Sequence, residues 1–510
     1  MLIFRCHSFS LSTRREYTER VISTTIDGKE SSVSEGLRLY NTDGRRVESF
    51  VPINEGRVGM YCCGPTVYDY AHIGNLRTYV FEDILRRVLE RIGYSVTHVM
   101  NITDVGHLTG DGDDGEDRML VGARKTGRTV WEIAEFYTDA FFADTEALNI
   151  TRPTVVCKAT EHIDEMIGLI RRLEERGMTY QSGGNVYYDI GKFASYGDMA
   201  RLDREGLRAG ARIEVDEGKR NPHDFVLWFT KGKFEQQAML WDSPWGRGYP
   251  GWHLECSAMS VKYLGEHFDI HCGGVDHINV HHTNEIAQTE GATGTKWVNF
   301  WMHGEFLVME TAKMAKSPAR MGKSEGNAIT LSTVIDRGYE PLDYRYYLLG
   351  AHYRTQLSFT WEALAGAKAA RASLVALVRD LATESSADDV MGDAAREVRK
   401  EIDEAFSNDL NAPQALGVLR AVLKDGSIPA GQRLAIVLDA DQVLGLDLAD
   451  VVGGAGRQLP DDLAELIARR EEARKSRDFG RADELRDELK GRGVLVEDTP
   501  SGTKWKWGQL

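Results

Sequence analysis

No run of about 18 or more apolar residues occurs in the 510-residue chain, so no segment is a candidate for crossing a bilayer as a helix. Cysteine is sparse. Cys6, Cys62, Cys63, Cys157, Cys256 and Cys272 are too few to staple a chain of this length, and a reducing cytoplasm is the expected compartment. Positive charge is in deficit, with 62 Lys and Arg against 78 Asp and Glu. The formal net charge of −16 argues against a protein that coats DNA, although a local basic surface for another nucleic acid is compatible with that total. Only 12 prolines interrupt the chain, and 42% hydrophobic residues are enough to give roughly two to four domains a core.

Two ligand motifs are also missing. GARKTGRT lacks the glycine placement of a Walker A loop. GDGDDGED is acidic, but Asp111 and Asp113 are followed by Gly115 out of EF-hand register, which leaves a solvated loop rather than a calcium site. Residues 1–35 are rich in Ser and Thr with scattered arginines, yet Glu16, Glu19, Asp27 and Glu30 do not suit a transit peptide. A disordered N-terminal extension is expected there.

A regular pattern begins near Leu37. Residues 58–62 suit a short buried strand, and Leu76, Val80, Ile84, Val88 and Ile92 recur every fourth position, predicting an amphipathic helix that starts at Leu76. Residues 96–100 form a second apolar run after Gly93, which completes a βαβ unit. Parallel strands place ligand chemistry at their carboxyl ends, here Cys63-Gly64, His72 to Asn75, and Asn101 to Asp104. Helices are expected over 129–142 and 162–175, an inserted subdomain over 177–244, and a return to α/β alternation from Gly251. After Trp361 the chain reads as helical up to Asp450, VVGGAGRQLPDD reads as a linker, and a small helical module begins at Leu463.

Cys256, His281 and Glu285 make a metal site conceivable. His281 and Glu285 stand four apart on one helix face, and Cys63 sits at the mouth of the first strand. Two thiolates, an imidazole and a carboxylate would suit Zn²⁺, while the alternative reading makes both cysteines small buried hydrophobes. Cys62 points to the opposite face of its strand and reads as core.

MYCCGPTVYDYAHIGNLRTY, VMNITD, PGWHLECSAM, FDIHCGGVDHINVHHTNEIAQ, YYLLGAHYRTQLSF and RDFGRADELRDELKGRGVLVEDTPSGTKW together resemble cysteinyl-tRNA synthetase, a class I aminoacyl-tRNA synthetase family. The resemblance covers residues from about 37 to 507. It implies an α/β fold: a Rossmann-like catalytic domain with a parallel sheet (halves 36–176 and 245–310 around the insertion 177–244), then a lysine-loop and stem-contact region over 311–360. A helical anticodon-binding domain over 361–452 and a tRNA-binding module over 461–510 would follow.

The implied activity is ligation of L-cysteine to the cysteine tRNA through cysteinyl-AMP, with Mg²⁺ accompanying ATP and no DNA or membrane partner. A monomer is expected, with a dimer open. The resemblance assigns Zn²⁺ to Cys63, Cys256, His281 and Glu285, and the cysteine pocket to Thr103, Trp252 and His271. His72 and Asn75 of HIGN would meet ATP, although the family usually carries a second histidine where this chain has Asn75. Asp276 of CGGVD would contact the ribose.

The family's single lysine loop has two counterparts here, KMAKS and RMGKS, because the chain holds seven extra residues. Counting forward from His303 selects Lys316, and counting back from AIT selects Lys323. Gly326 and Asn327 supply the returning turn, which favours Lys323. In the tail, Trp505 and Trp507 alternate with Lys504 and Lys506, a composition suited to stacking on bases and holding phosphates.

Overall fold

The computed structural model describes residues 36–105, 119–120, 122, 127–202, 218–230, 239–309, 319–320, 328–385, 390–455, 461–476, 478–492, 494–499 and 502–507. Lys316 and Lys323, the acidic loop and the N-terminal extension lie outside them. Among the described residues no helix is long and apolar enough to cross a membrane.

A five-stranded parallel sheet carries the first part of the chain, in the order β11-β10-β3-β4-β5. Its strands are β3 (Arg57–Cys62), β4 (Ser95–Ile102), β5 (Val155–Lys158), β10 (Phe268–Gly274) and β11 (Val298–Gly304). From β3 the chain builds outward to β5, then returns to build β10 and β11 on the other side. The order therefore reverses between β3 and β10, and their carboxyl ends splay around a crevice where such sheets bind ligands. An amino-terminal hairpin, β1 (Arg38–Asn41) with β2 (Arg46–Ser49), leans on β11 through Thr42 N–H and the Trp301 carbonyl at 2.8 Å.

Helix α1 (Ile73–Arg91) connects β3 to β4 and buries Ile73, Leu76, Val80, Ile84 and Val88. It starts three residues before the position that periodicity indicates. The reason is a reciprocal cap: the Asn75 N–H donates to His72 Nδ1 at 3.1 Å, and the His72 N–H donates to Asn75 Oδ1 at 3.2 Å. Apolar spacing marks the buried stripe of a helix, whereas capping marks its start.

Helices α2 (Val130–Ala147) and α3 (Ile163–Glu175) follow. A separate antiparallel sheet then runs in the order β6 (Thr179–Ser182), β7 (Asn185–Tyr188), β8 (Phe225–Phe229), β9 (Tyr249–Pro250). It hands the chain to α4 (Trp252–Leu264) through Gly251, where a Cβ would sit 2.1 Å from the Val226 carbonyl oxygen. Helix α5 (Thr283–Thr293) follows β10 and is entered through a π-helical turn, Ile278–His282. Such turns are frequent at functional sites because they re-aim side chains.

Past β11, β12 (Leu307–Met309) pairs with β13 (Ala319–Arg320) and β14 (Leu357–Phe359). Helices α6 (Leu331–Asp336) and α7 (Pro341–Leu349) lie between β13 and β14. The rest is helical: α8 (Trp361–Glu384), α9 (Asp393–Ser407), α10 (Ala412–Val422), α11 (Ala430–Leu444) and α12 (Leu448–Ala455). Helices α13 (Asp461–Lys475) and α14 (Phe479–Gly491), with the hairpin β15 (Val494–Thr499) and β16 (Gly502–Trp507), end the fold. The segment read as a linker begins inside α12 instead. Leu448 and Val452 are buried there, and packing overrides the weak helix propensity of its glycines.

Candidate active site

Strand alternation sorts the two adjacent cysteines. Cys62 enters the core beneath α1, and Cys63 turns the other way, toward α4 and α5. Beyond β3 the chain can pass β4 only because residue 64 is glycine: a Cβ there would lie 1.6 Å from the Asn101 carbonyl oxygen. Gly64 N–H also donates to Asn101 Oδ1 at 2.8 Å, which fixes the position of Cys63 next door.

Cys63, Cys256 from α4, His281 from the π-helical turn and Glu285 from α5 all offer ligand atoms within 4.8 Å of one another. All four are buried. Glu285 Oε1 lies 2.7 Å from His281 Nε2, and Oε2 lies 2.9 Å from His271 Nε2. Neither contact has the alignment of a hydrogen bond, so His271 Nε2 and both carboxylate oxygens are short of that partner. The ion-pair distances and the missing hydrogen bonds agree on one point: these atoms converge without satisfying one another, as metal ligands do.

The electrostatics match. Burial and the neighbouring Cys256 push the Cys63 thiol well up. Burial opposes ionisation of Cys256 as well, but the hydrogen bond with Cys63 and the contact with His281 bring its thiol below the ordinary value. A cation held by the two sulfurs would displace their thiol protons. His281 is raised to about 10 against the cost of burial by Glu285 and Cys256, while His281 and His271 hold the Glu285 carboxyl low.

A second set overlaps the first: Cys63, His271, His282 and Glu285 also bring ligand atoms within 4.8 Å. Sequence reading missed His282. Its Nε2 lies 3.3 Å from Cys63 Sγ, its Nδ1 is 2.8 Å from His303 Nε2, and His303 Nδ1 is 2.8 Å from Thr42 Oγ1. HHT showed two adjacent histidines, but only the fold shows which of them leads toward the hairpin. The first set opens on the crevice and the second lies beneath it. Cys63, Cys256 and His281 line a cavity of about 510 Å³, and His271 and His282 do not. His271, expected in the cysteine pocket, is buried, with Nε2 2.9 Å from Glu285 Oε2 and its ring against Trp301, centroids 4.6 Å apart.

The same cavity is lined by Thr103, Trp252, Asp276, His277, His72 and Asn75. Trp252 stands over His281, ring centroids 4.6 Å apart. At the opposite end lies the α1 amino terminus, whose helix dipole favours phosphate oxygens. The chain just beyond the lysine motifs is tied there as well: Ile73 N–H donates to the Ile329 carbonyl at 2.8 Å, and His72 bridges Thr330. One cavity therefore joins a thiol-rich cluster to a helix amino terminus.

Residues 49–369 match the family model described as tRNA synthetases class I (C) catalytic domain, and residues 456–505 match the one described as cysteinyl-tRNA ligase anticodon binding domain. A cysteine--tRNA ligase of Treponema denticola is 53% identical over 495 residues, covering 92% of this chain and 99% of that protein. The chain belongs to the cysteinyl-tRNA synthetase family. Cysteine--tRNA ligase 1 of Burkholderia lata is 50% identical over 468 residues, with 92% of this chain and 96% of that one covered.

Among solved structures, the fold is similar to that of Mycobacterium tuberculosis methionyl-tRNA synthetase bound by methionyl-adenylate. The TM-score is 0.53 at 15% identity, over 79% of this chain and 95% of that chain. As a member of the cysteinyl-tRNA synthetase family the protein is an aminoacyl-tRNA ligase, with a Rossmann-like parallel sheet followed by helices.

Proposed function

We propose that the cavity between Cys63 and the α1 amino terminus makes cysteinyl-AMP from L-cysteine and ATP and passes the cysteinyl group to the cysteine tRNA. In the first step a carboxylate oxygen of cysteine bonds to the α-phosphorus as the bond to the leaving diphosphate breaks. In the second, a ribose hydroxyl at the tRNA 3′ end attacks the acyl carbon and AMP departs. The protein's task is alignment and charge stabilisation, so no side-chain nucleophile is needed.

Cys63, Cys256, His281 and Glu285 would hold Zn²⁺, which supplies a bond to the substrate thiolate that serine's hydroxyl forms poorly. Thr103 and Trp252 border the amino-acid end, and His271 supports Glu285 from below. His72 and Asn75 present donors to the triphosphate, with Asn75 Nδ2 free of the cap because Oδ1 alone takes part in it. Asp276 faces the ribose, and Mg²⁺ accompanies ATP.

Lys323 is favoured as the loop lysine. The register counted back from AIT and the returning turn at Gly326 and Asn327 support it, with Lys316 the competitor. Residues 361–452 and 461–510 serve the anticodon end of the RNA, and residues 36–310 carry the chemistry. The buried, unbridged cysteines Cys62, Cys63, Cys157, Cys256 and Cys272 suit a reducing cytoplasm.

The observation that carries this reading is the joining of the Cys63, Cys256, His281 and Glu285 group to the α1 amino terminus by one cavity. Its test is cysteine-dependent ATP–diphosphate exchange, followed by charging of the cysteine tRNA. Exchange without charging, under conditions where a control synthetase charges the same RNA, would overturn the second step.

A further inference from the structure

Aromatic rings lead from the cavity wall to the surface along α2. Phe141 and Tyr137, four apart on one helix face, line the cavity. Tyr137 meets Tyr70 with ring centroids 5.1 Å apart, and Phe136 lies 5.1 Å from Tyr137 and 6.0 Å from Tyr70. Outermost is a cation: the guanidinium of the exposed Arg128 stands 4.4 Å from the Phe136 ring centroid.

Exposure rises along this path. Phe141 is 2% exposed, Phe136 37% and Tyr70 42%. One exposed ring is ordinary on a protein surface, but two in contact, with an arginine beside them and a cavity behind, have the composition of a binding surface. The three outer rings cross at 75°, 87° and 79°, so none is stacked on another and flat faces remain for a further ring.

The transfer step must bring a ribose hydroxyl at the tRNA 3′ end into this cavity. The nucleotides next to that ribose are unpaired, and unpaired bases are held by stacking on aromatic rings with cations at their phosphates. Asp69 is in the cavity wall, so the cation lies at the outer end of the path, where an incoming phosphate meets it first.

We infer that Phe136 and Tyr70, with Arg128, form a stacking platform that receives the unpaired 3′ nucleotides of the tRNA at the cavity mouth. The inference rests on the proposed transfer step and adds the surface over which the RNA end enters. The platform meets base faces rather than base edges, so it carries no sequence choice of its own.

Phe136→Leu keeps an apolar side chain and removes the ring. The expected result is a fall of about tenfold in affinity for the cysteine tRNA, the loss typical of one base–aromatic stack. That fall should be absent for the same tRNA trimmed of its unpaired 3′ nucleotides. ATP–diphosphate exchange, which needs no RNA, should keep its cysteine and ATP KM, and Phe136→Tyr should bind the full tRNA as the wild type does. If Phe136→Leu fails to fold, Tyr70→Leu makes the same comparison from the more exposed ring.

Equal losses for full and trimmed RNA would place the contact elsewhere on the RNA and overturn the platform. Unchanged affinity for the full tRNA would overturn it too, as would a raised ATP KM, which would give the rings to ATP instead. In each case a wild-type protein that charges the cysteine tRNA leaves the proposed function standing.

Discussion

A single hydrogen-to-methyl change tests how tightly the cation site depends on backbone approach. Gly64→Ala puts a Cβ into the Asn101 carbonyl, an atom that cannot move without disturbing β4. The expected cost is about 1–3 kcal/mol of stability, with the position of Cys63 disturbed and the cysteine KM raised; melting temperature and exchange kinetics measure it. Cys256→Ser replaces a soft ligand by a hard, less acidic one. Zinc stoichiometry should fall well below one and the cysteine KM should rise far more than the ATP KM. Full zinc occupancy in that variant would remove Cys256 from the ligand set. For the lysines, adenylate formation should fall far more in Lys323→Ala than in Lys316→Ala. Small, equal losses would show that neither side chain contacts the transition state.

The residue scale is also where sequence reading went furthest. His281 and Glu285 declare a shared face by helical spacing alone, and Cys62 and Cys63 declare opposite faces by strand alternation. That Cys63 and Cys256 meet was not legible without the family resemblance, because it depends on β3 and α4 coming together across the sheet. His282 escaped for a related reason. A π-helical turn shifts the phase, so counting by ordinary helical spacing does not reveal that His282, next to His281, also comes within reach of Glu285 and Cys63.

Among the elements, α1 links the site to the helical part of the molecule. Its first turn is the reciprocal cap of His72 and Asn75, and its last residue, Arg91, pairs with Asp403 at 2.7 Å and Asp439 at 2.6 Å. Burial alone would weaken the Arg91 charge, but the two carboxylates hold it fully protonated. Arg91→Met leaves the two acids without their shared cation, only partly relieved by Arg399 on Asp439 at 2.9 Å. We expect a loss of about 3–5 kcal/mol in urea unfolding, a cost typical of stranding a buried charge. An element of the opposite kind is α12. Its glycines suggested a linker, and only its packing against α8, invisible to local propensity, shows why it is a helix.

For the molecule as a whole, the junction between the sheet and the helices turns on Asp83. It receives Arg345 at 2.6 Å with both side chains fully buried, and Arg87 at 2.8 Å. Arg345 also donates to the carbonyls of Leu444 and Leu148, so one guanidinium joins α1, α7, α11 and the end of α2. Desolvation works to raise the Asp83 carboxyl, but Arg87 and Arg345 outweigh it and lower its pKa from 3.8 to about 2. A depressed carboxylate stabilises the fold above its unfolded pKa and ceases to do so as pH falls through the folded one. The stabilisation should therefore be complete above about pH 4 and disappear toward pH 2. Asp83→Asn should unfold more readily at neutral pH and show a shallower acid limb; an acid limb of unchanged slope would assign acid sensitivity to other groups. A parallel sheet followed by a helical region was foreseeable at this scale from alternating patterns, but the Asp83–Arg345 junction was not, since its partners are brought together only by the fold.

The tether of Ile73 to Ile329 bears on how the chain accommodates a doubled lysine motif. Residues 310–327 run between Met309, paired in the sheet, and Ala328, next to the tether, and β13 pins Ala319 and Arg320 to β12 between them. Each doubling of the length of a connection between fixed ends raises its closure free energy by only roughly 0.6 kcal/mol, since that term grows with the logarithm of length. In polymer terms the insertion is nearly neutral for folding, so the duplication changes the register of the lysine motif while leaving the scaffold's stability almost untouched.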